Sequence, residues 1–119
     1  MLIVEARVGR FRADLLVDTG AALTALTPEA VDRLRLDRSR FTGRRTVFTA
    51  AGTSMAVPIG RIASLRLGAI ELQDVEVAIV DLPPGLNIDG LLGVNVLDRF
   101  RATFEFRRST LVLRREWTR

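Results

Sequence analysis

Leu15-Leu16-Val17-Asp18-Thr19-Gly20-Ala21 is the stretch that decides the fold. Three apolar residues typical of a strand run directly into Asp18, and Gly20 allows a turn tight enough to leave that carboxylate facing a cleft. A second stretch, Gly90-Leu91-Leu92-Gly93-Val94-Asn95-Val96-Leu97, supplies an apolar pair and a glycine against which the turn can pack. The sequence therefore predicts one acid-bearing turn, supported by a segment that is distant along the chain.

Length and composition narrow the available chemistry to carboxylates. The 119 residues correspond to one domain, residues 1–119, with enough apolar content to bury a core. The chain has no Cys, His, Lys or Tyr. These absences exclude thiol and Ser-His nucleophiles, Schiff-base lysines, the usual zinc ligands and disulfides. Mainly Asp and Glu remain among the common catalytic side chains, and we expect no metal and no cofactor.

The net charge of +4 and the pI near 11.3 resemble those of nucleic-acid-binding proteins. The pI is high because no side chain titrates between the carboxylates and Arg, so the charge is nearly constant across that interval. The arginines are spread along the chain, and six Phe with one Trp offer little for base stacking. We therefore expect no nucleic-acid partner. No stretch has the length of a membrane span or the form of a signal peptide, so we expect a soluble chain with no membrane segment.

Apolar alternation predicts a hairpin that leads into the acid-bearing turn, with strands over residues 2–8 and 11–17 around Gly9-Arg10. Thr27-Pro28-Glu29 has the form of a helix start, with a hydroxyl cap, a proline at the first helical position and an acid near the positive end of the helix dipole. We expect this helix to extend to about Leu36.

The remaining elements are predicted from apolar runs between turn residues. One hairpin is expected around the small residues 50–53, where it would close over a cleft, and a second hairpin is expected at the end of the chain. The expected strands cover residues 45–48, 54–59, 61–67, 75–80, 101–106 and 110–113, and a short helix covers residues 94–100.

The order of these parts resembles that of retropepsin-like (retroviral-type) aspartic proteases, in particular the bacterial single-domain members. The shared features are a hairpin that enters Asp18-Thr19-Gly20-Ala21, a flap-like hairpin, and two apolar residues with Gly93 before a helix that contains Asn95. The resemblance implies an all-β fold, mostly β with one or two short helices. It would be an acid protease barrel that contributes one lobe per chain.

The resemblance also implies roles for the residues of the acid-bearing turn. Asp18 resembles the catalytic aspartate, and Thr19 resembles the residue whose hydroxyl bonds across a dimer. Gly20 would let the substrate backbone approach. Ala21 stands where many pepsin-like enzymes place a hydroxyl donor that stabilises the ionised carboxylate. We therefore expect a pH optimum less acidic than that of pepsin.

Further positions are carried over as substrate-binding or supporting residues. Ala22 and Leu23 stand where retroviral enzymes often carry two acids, and Val94 replaces their helix arginine, so that salt-bridge network is missing. The substrate-binding set implied by the resemblance is Ala22, Ala25, Ala51, Gly52, Thr53, Met55, Leu91 and Val94. Leu92, Gly93 and Asn95 would support the acid-bearing turn.

These features together predict a homodimeric aspartic endopeptidase. Hydrolysis by carboxylates takes two acids that share a proton, so a second copy must supply the second Asp18. The substrates would be polypeptides in extended, hydrophobic segments. The apolar terminal strands, residues 2–4 and 111–113, would pair across the twofold axis or with ordinary neighbours in their own chain. Asp89 beside Gly90 is interpreted as a turn former and not as the second acid.

Two other hypotheses stay open. The first is a dimeric peptide-binding module that has the same fold but is catalytically weak or inactive. The second, a basic nucleic-acid binder, would show steep salt-dependent retention on DNA or RNA.

Overall fold

The computed structural model describes residues 1–48, 52–83 and 85–115 of the chain. Most of this part is β-structure, as predicted, with two short α-helices. The elements are β1 Ile3–Val8, β2 Phe11–Val17, β3 Thr24–Leu26, α1 Pro28–Arg33, β4 Gly43–Phe48, β5 Ser54–Leu67, β6 Ile70–Ile79, β7 Gly90–Leu92, α2 Val94–Leu97, β8 Phe100–Glu105 and β9 Thr110–Arg115.

Six of the strands close into a barrel. They follow the order β1, β2, β7, β3, β6 and β5, and the ring closes where Arg7 of β1 pairs with Arg66 of β5. The β2–β7 and β3–β6 pairs are parallel, and the other pairs in the ring are antiparallel. β4 joins this ring from outside through an antiparallel hairpin with β5. β8 and β9 form a separate two-stranded antiparallel sheet.

The first helix begins where the sequence predicts and ends earlier. The hydroxyl of Thr27 accepts the backbone N–H of Ala30 at 3.1 Å, and Pro28 is the first helical residue. The helix ends at Arg33 and not near Leu36, because Arg35 adopts a left-handed φ of 57°. The N–H of Leu36 then donates to the carbonyl of Val31, which closes the last turn. The sequence did not predict this end of the helix, because arginine is not a residue type that marks a helix end.

The segment between α1 and β4 is held by Asp37 and Phe41. Ser39 donates its N–H and its hydroxyl to the Asp37 carboxylate, and these two hydrogen bonds lower the pKa of Asp37. Phe41 is buried over Gly60, where an added Cβ would lie 2.6 Å from the phenyl ring. The sequence predicted two separate strands, over residues 54–59 and 61–67. The structure has one strand instead, because β5 runs unbroken through Gly60, which gives room to Phe41 without ending the strand.

The end of the chain also differs from the prediction in its bounds. α2 has four residues, because Phe100 is buried as the first residue of β8 and does not continue the helix. The predicted terminal hairpin is confirmed, with Phe104 opposite Leu111. The sequence did not predict β3 or β7, because strands of three residues are too short to show an alternating pattern.

The buried residues form two apolar clusters. The larger one fills the barrel and includes Val31 of α1, Leu92 of β7 and Val96 of α2. The smaller one, called the second apolar cluster below, consists of Leu23, Ala25, Val57, Ile59 and Ala78, with Val47, Val80 and Leu91 packed against it.

Candidate active site

Asp18 directly follows β2, in a turn that its own atoms stabilise. Its Oδ1 accepts the backbone N–H of Gly20 at 2.9 Å, and its carbonyl oxygen accepts the N–H of Ala21 at 3.2 Å. Asp18 is partly buried, whereas Thr19 and Gly20 are exposed. A Cβ on Gly20 would lie 3.2 Å from Asp18 Oδ1, so a larger residue would press on the carboxylate. The turn thus orients the carboxylate and leaves it accessible.

β7 lies between β2 and β3 and supports this turn. The N–H of Asp18 donates to the carbonyl of Leu92 at 3.1 Å. On its other side β7 runs so close to β3 that a Cβ on Gly93 would lie 2.5 Å from the carbonyl carbon of Leu23. A Cβ on Gly90 would collide with the carbonyl oxygen of Ala25. Both glycines are therefore required by the close approach of two backbones.

Asn95 and Thr24 form a buried polar network behind the turn. Asn95 Oδ1 accepts the backbone N–H of Thr24 at 2.7 Å and its hydroxyl at 2.9 Å. Asn95 Nδ2 donates to the carbonyl of Glu76 at 2.9 Å, and the Thr24 hydroxyl accepts the N–H of Gly93 at 3.1 Å. This network joins β3, β6 and the start of α2. Sequence reasoning missed Thr24, although it is the only polar side chain in the run Ala21-Ala22-Leu23-Thr24-Ala25-Leu26.

The first residues of α2 also bind the turn directly. The N–H of Val94 donates to the carbonyl of Ala21 at 2.8 Å, and the N–H of Asn95 donates to the carbonyl of Ala22 at 3.2 Å. These donors are among those that a helix leaves unsatisfied at its start. Gly93 provides no side-chain cap, so backbone carbonyls that follow Asp18 take this role.

The second apolar cluster lies beside the turn and below the β4–β5 hairpin. Ala25 of β3 pairs with Leu91 of β7, and both belong to this cluster. Val47 of β4 packs against it, while its cross-strand partner Met55 is 46% exposed. Of the proposed substrate-binding residues, the structure therefore brings Ala25 and Leu91 together and places Met55 at the rim.

The other predicted substrate-binding residues are spread around this region. Ala22 is exposed after the turn, and Val94 is partly buried at the start of α2. Gly52, with a left-handed φ of 82°, and Thr53 are exposed at the end of the hairpin turn. Ala51 lies outside the described residues.

Asp89 connects the supporting strand to β2 and α1. Its Oδ2 accepts the N–H of Asp14 at 2.7 Å, and its own N–H donates to the carbonyl of Asp14 at 2.8 Å. The carboxylate also pairs with Arg33 of α1, which donates to the carbonyl of Arg12. Asp14 and Glu5 in turn raise the pKa of the Arg12 guanidinium. Asp89 is thus a cross-strand clamp at the start of β7, a role that the turn interpretation did not foresee.

The described ranges contain neither a membrane-spanning helix nor a metal-binding cluster. No helix there is long and apolar enough to cross a membrane. No three Asp, Glu, His or Cys residues in those ranges are grouped in a way that would hold a metal ion.

Comparison with known sequences identifies relatives along most of the chain. "DNA damage-inducible protein 1" of Neurospora crassa is 31% identical over 121 residues, and an uncharacterised protein of Rickettsia prowazekii is 33% identical over 112 residues. These matches cover 98% and 92% of this chain. They cover 26% and 45% of the relatives, so the chain spans less than half the length of either.

Comparison with solved structures supports the same relationship. A retropepsin-like aspartic protease from Rickettsia conorii superimposes with a TM-score of 0.68 at 29% identity, covering 93% of this chain and 80% of that one. The retroviral protease-like domain of Ddi1 from Leishmania major has a TM-score of 0.63 at 19% identity, covering 95% and 87%. The second likeness concerns the fold alone.

The family itself follows from the match of its sequence model. The model described as gag-polyprotein putative aspartyl protease matches residues 4–99, which include the Asp18 turn, β7 and α2. The closed six-stranded barrel agrees with the retropepsin-like fold of the Rickettsia conorii protease. The chain therefore belongs to the gag-polyprotein aspartyl protease family and has a retropepsin-like fold.

Proposed function

We propose that this chain is an aspartic endopeptidase that acts as a homodimer, with one Asp18 from each copy. The observation that carries the proposal is the Asp18 turn, in which an accessible carboxylate is oriented by the N–H of Gly20. Each chain carries one Asp-Thr-Gly sequence. A twofold axis beside the turn would bring two identical carboxylates together.

The proposed chemistry needs only these two carboxylates and water. Two neighbouring carboxylates do not both ionise readily, so one keeps a proton. The ionised Asp18 takes a proton from water, whose oxygen attacks the scissile carbonyl carbon, while the protonated Asp18 donates its proton to the carbonyl oxygen. The tetrahedral intermediate then collapses: the Asp18 that took the proton from water donates it to the leaving nitrogen as the C–N bond breaks, and the other Asp18 takes a proton from a hydroxyl of the intermediate, which re-forms the carbonyl and restores one proton to the pair.

The terminal strands offer edges for the proposed dimer. Within the described residues, β1 pairs with β2 along its whole length, but on its other side it pairs only through Arg7. β9 pairs with β8 and with no other strand in the described part of the chain. A cavity of about 510 Å³ lies between them, lined by Val4 of β1 and residues 111–113 of β9. Both strands thus have a partner in their own chain and a second edge for a strand of the other copy.

The proposed substrates are extended polypeptides with hydrophobic side chains beside the cut. The partly buried residues packed against the second apolar cluster, among them Leu91, would provide their binding surface, and Ala25 would support it from within the cluster. The β4–β5 hairpin would act as a flap. By excluding water it would lower the local dielectric and strengthen the charge interactions in the site.

The test is cleavage of an unfolded protein by wild type and Asp18→Asn, with a pepstatin-like inhibitor alongside. Asp81→Asn is the matched control, because it makes the same change at an exposed acid outside the site. We expect the wild type and the control to cleave, and Asp18→Asn and the inhibited protein to be inactive. Equal cleavage by Asp18→Asn would overturn the proposal. Binding of an extended peptide without cleavage by the wild type would support the peptide-binding module instead.

A further inference from the structure

The positive charge of the chain is concentrated in its last hairpin. Residues 1–98 contain eleven Arg and twelve Asp or Glu, whereas residues 99–115 contain six Arg and one Glu. Residues 116–119 contain one Glu and one Arg, whose charges cancel. The net charge of +4 therefore arises entirely from the β8–β9 hairpin and the residue before it.

The arginines of this hairpin are paired with acids less often than the other arginines. Six of the eleven arginines in residues 1–98, among them Arg12 and Arg33, form ion pairs with Asp or Glu, and the other five form none with the described residues. On the hairpin and the residue before it, five exposed arginines form no ion pair with any residue of the described ranges: Arg99, Arg107, Arg108, Arg114 and Arg115. The hairpin is thus suited to an external anionic partner.

The backbone of the hairpin indicates the class of that partner. β8 and β9 each pair on one side only within the described residues, so each has an open edge of N–H and C=O groups. An extended polypeptide complements such an edge, whereas a nucleic acid or a lipid headgroup has no matching backbone. Phe106 at the tip is 64% exposed and offers one apolar contact. Because the proposed dimer uses β9, the edge of β8 is left for this partner.

We propose that the β8–β9 hairpin is a docking surface for an acidic, extended segment of the protein substrate, outside the segment that is cleaved. This inference rests on the proposed function and adds a substrate class to it. Carboxylates of the segment would pair with Arg107, Arg108 and Arg114, and its backbone would add to β8. Docking would lower KM for proteins that carry such a segment without changing kcat.

The activity test uses two peptides with the same cleavable apolar core, one with a short Asp/Glu-rich tail and one with a Ser/Gly tail. We expect the acidic tail to lower KM about tenfold at low salt, with the advantage lost at high salt. The Arg107→Gln/Arg108→Gln double variant should bring the ratio of the two KM values close to one. Arg10→Gln/Arg35→Asn removes the same charge elsewhere on the surface, and its KM ratio should equal that of the wild type.

A binding measurement separates this inference from the proposed function. A labelled peptide that consists of the acidic tail alone is titrated with Asp18→Asn protein, and its fluorescence anisotropy is followed. We expect binding that weakens in the Arg107→Gln/Arg108→Gln background even if no hydrolysis is ever detected. Equal KM values for the two peptides with wild type would overturn the inference. So would tighter binding of DNA or anionic vesicles than of the peptide, or a loss of dimer in the double variant.

Discussion

The side-chain oxygen of Asn95 lies 2.7 Å from the backbone nitrogen of Thr24 and 2.9 Å from its hydroxyl oxygen. Asn95 also donates to the carbonyl of Glu76, so one side chain satisfies polar groups of two strands. Thr24 is 2% exposed. A buried polar network of this kind is stable only when every member has its partner.

Replacement of Asn95 with Ala should destabilise the protein by about 2–3 kcal/mol, since the N–H and hydroxyl of Thr24 lose their acceptor and the carbonyl of Glu76 loses its donor at a partly buried position. Thr24→Val should lower the free energy of unfolding by about 1–3 kcal/mol, because the N–H of Gly93 loses its acceptor. Thr24→Ser keeps the hydroxyl and serves as the control, with a loss of about 1 kcal/mol or less. Urea unfolding measures the free energy of unfolding of all three variants. A Thr24→Val protein as stable as Thr24→Ser would contradict the assigned role of the network.

Gly93→Ala should destabilise the fold strongly, because the added methyl group meets the backbone of Leu23 and Thr24 within 2.5–2.7 Å. A shift of β7 away from β3 would cost about 2 kcal/mol or more. It would also move the carbonyl of Leu92 that holds Asp18. The control is Gly68→Asn, a position with open space and a left-handed φ that Asn tolerates. The two variants should therefore differ in thermal midpoint, and equal midpoints would exclude the close-approach explanation.

Asp89→Ala should lower the free energy of unfolding by about 2 kcal/mol, because the N–H of Asp14 loses its acceptor and Arg33 loses its ion-pair partner. Asp89→Asn can still accept from Asp14, so its cost should stay below about 1 kcal/mol. The reference is Asp32→Asn, which removes the exposed pair with Arg38. If Asp89→Ala is no less stable than this reference, Asp89 is not a clamp.

Ala21→Ser should shift the acidic limb of the pH-rate profile to lower pH. The introduced hydroxyl would stabilise the ionised carboxylate by donating a hydrogen bond to it. Ala22→Ser adds the same group one residue later and should leave the profile unchanged. We expect the wild type to work best at a less acidic pH than pepsin. A wild-type optimum in the strongly acidic range would contradict this expectation.

The predictable parts of this fold are those with local signals. The first hairpin has a Gly-Arg turn between alternating strands, and Thr27 with Pro28 marks the start of α1. The end of α1 depends on Arg35 in a left-handed conformation that arginine rarely adopts. β3 and β7 are strands only because the barrel places them side by side. Such long-range pairing leaves no periodicity in three residues.

The candidate site also contains residues with local sequence signals and residues whose roles depend on long-range pairing. Motif resemblance located the Asp18 turn and its supporting segment, because their residue types occur together in sequence. Thr24 and Asp89 were not recognised, since their roles depend on partners 71 and 75 residues away. A threonine in an apolar run and an acid before a glycine each fit several ordinary roles. Only the register of β2, β7 and β3 selects one of them.

The central claim is that two Asp18 residues form one site, and subunit mixing tests it most directly. Wild type and Asp18→Asn are combined at constant total concentration, left to exchange, and assayed for cleavage at increasing variant fraction. If both carboxylates are required, activity falls with the square of the wild-type fraction, to about one quarter in an equal mixture. A linear fall, to about one half, would mean that one Asp18 suffices and would contradict the account.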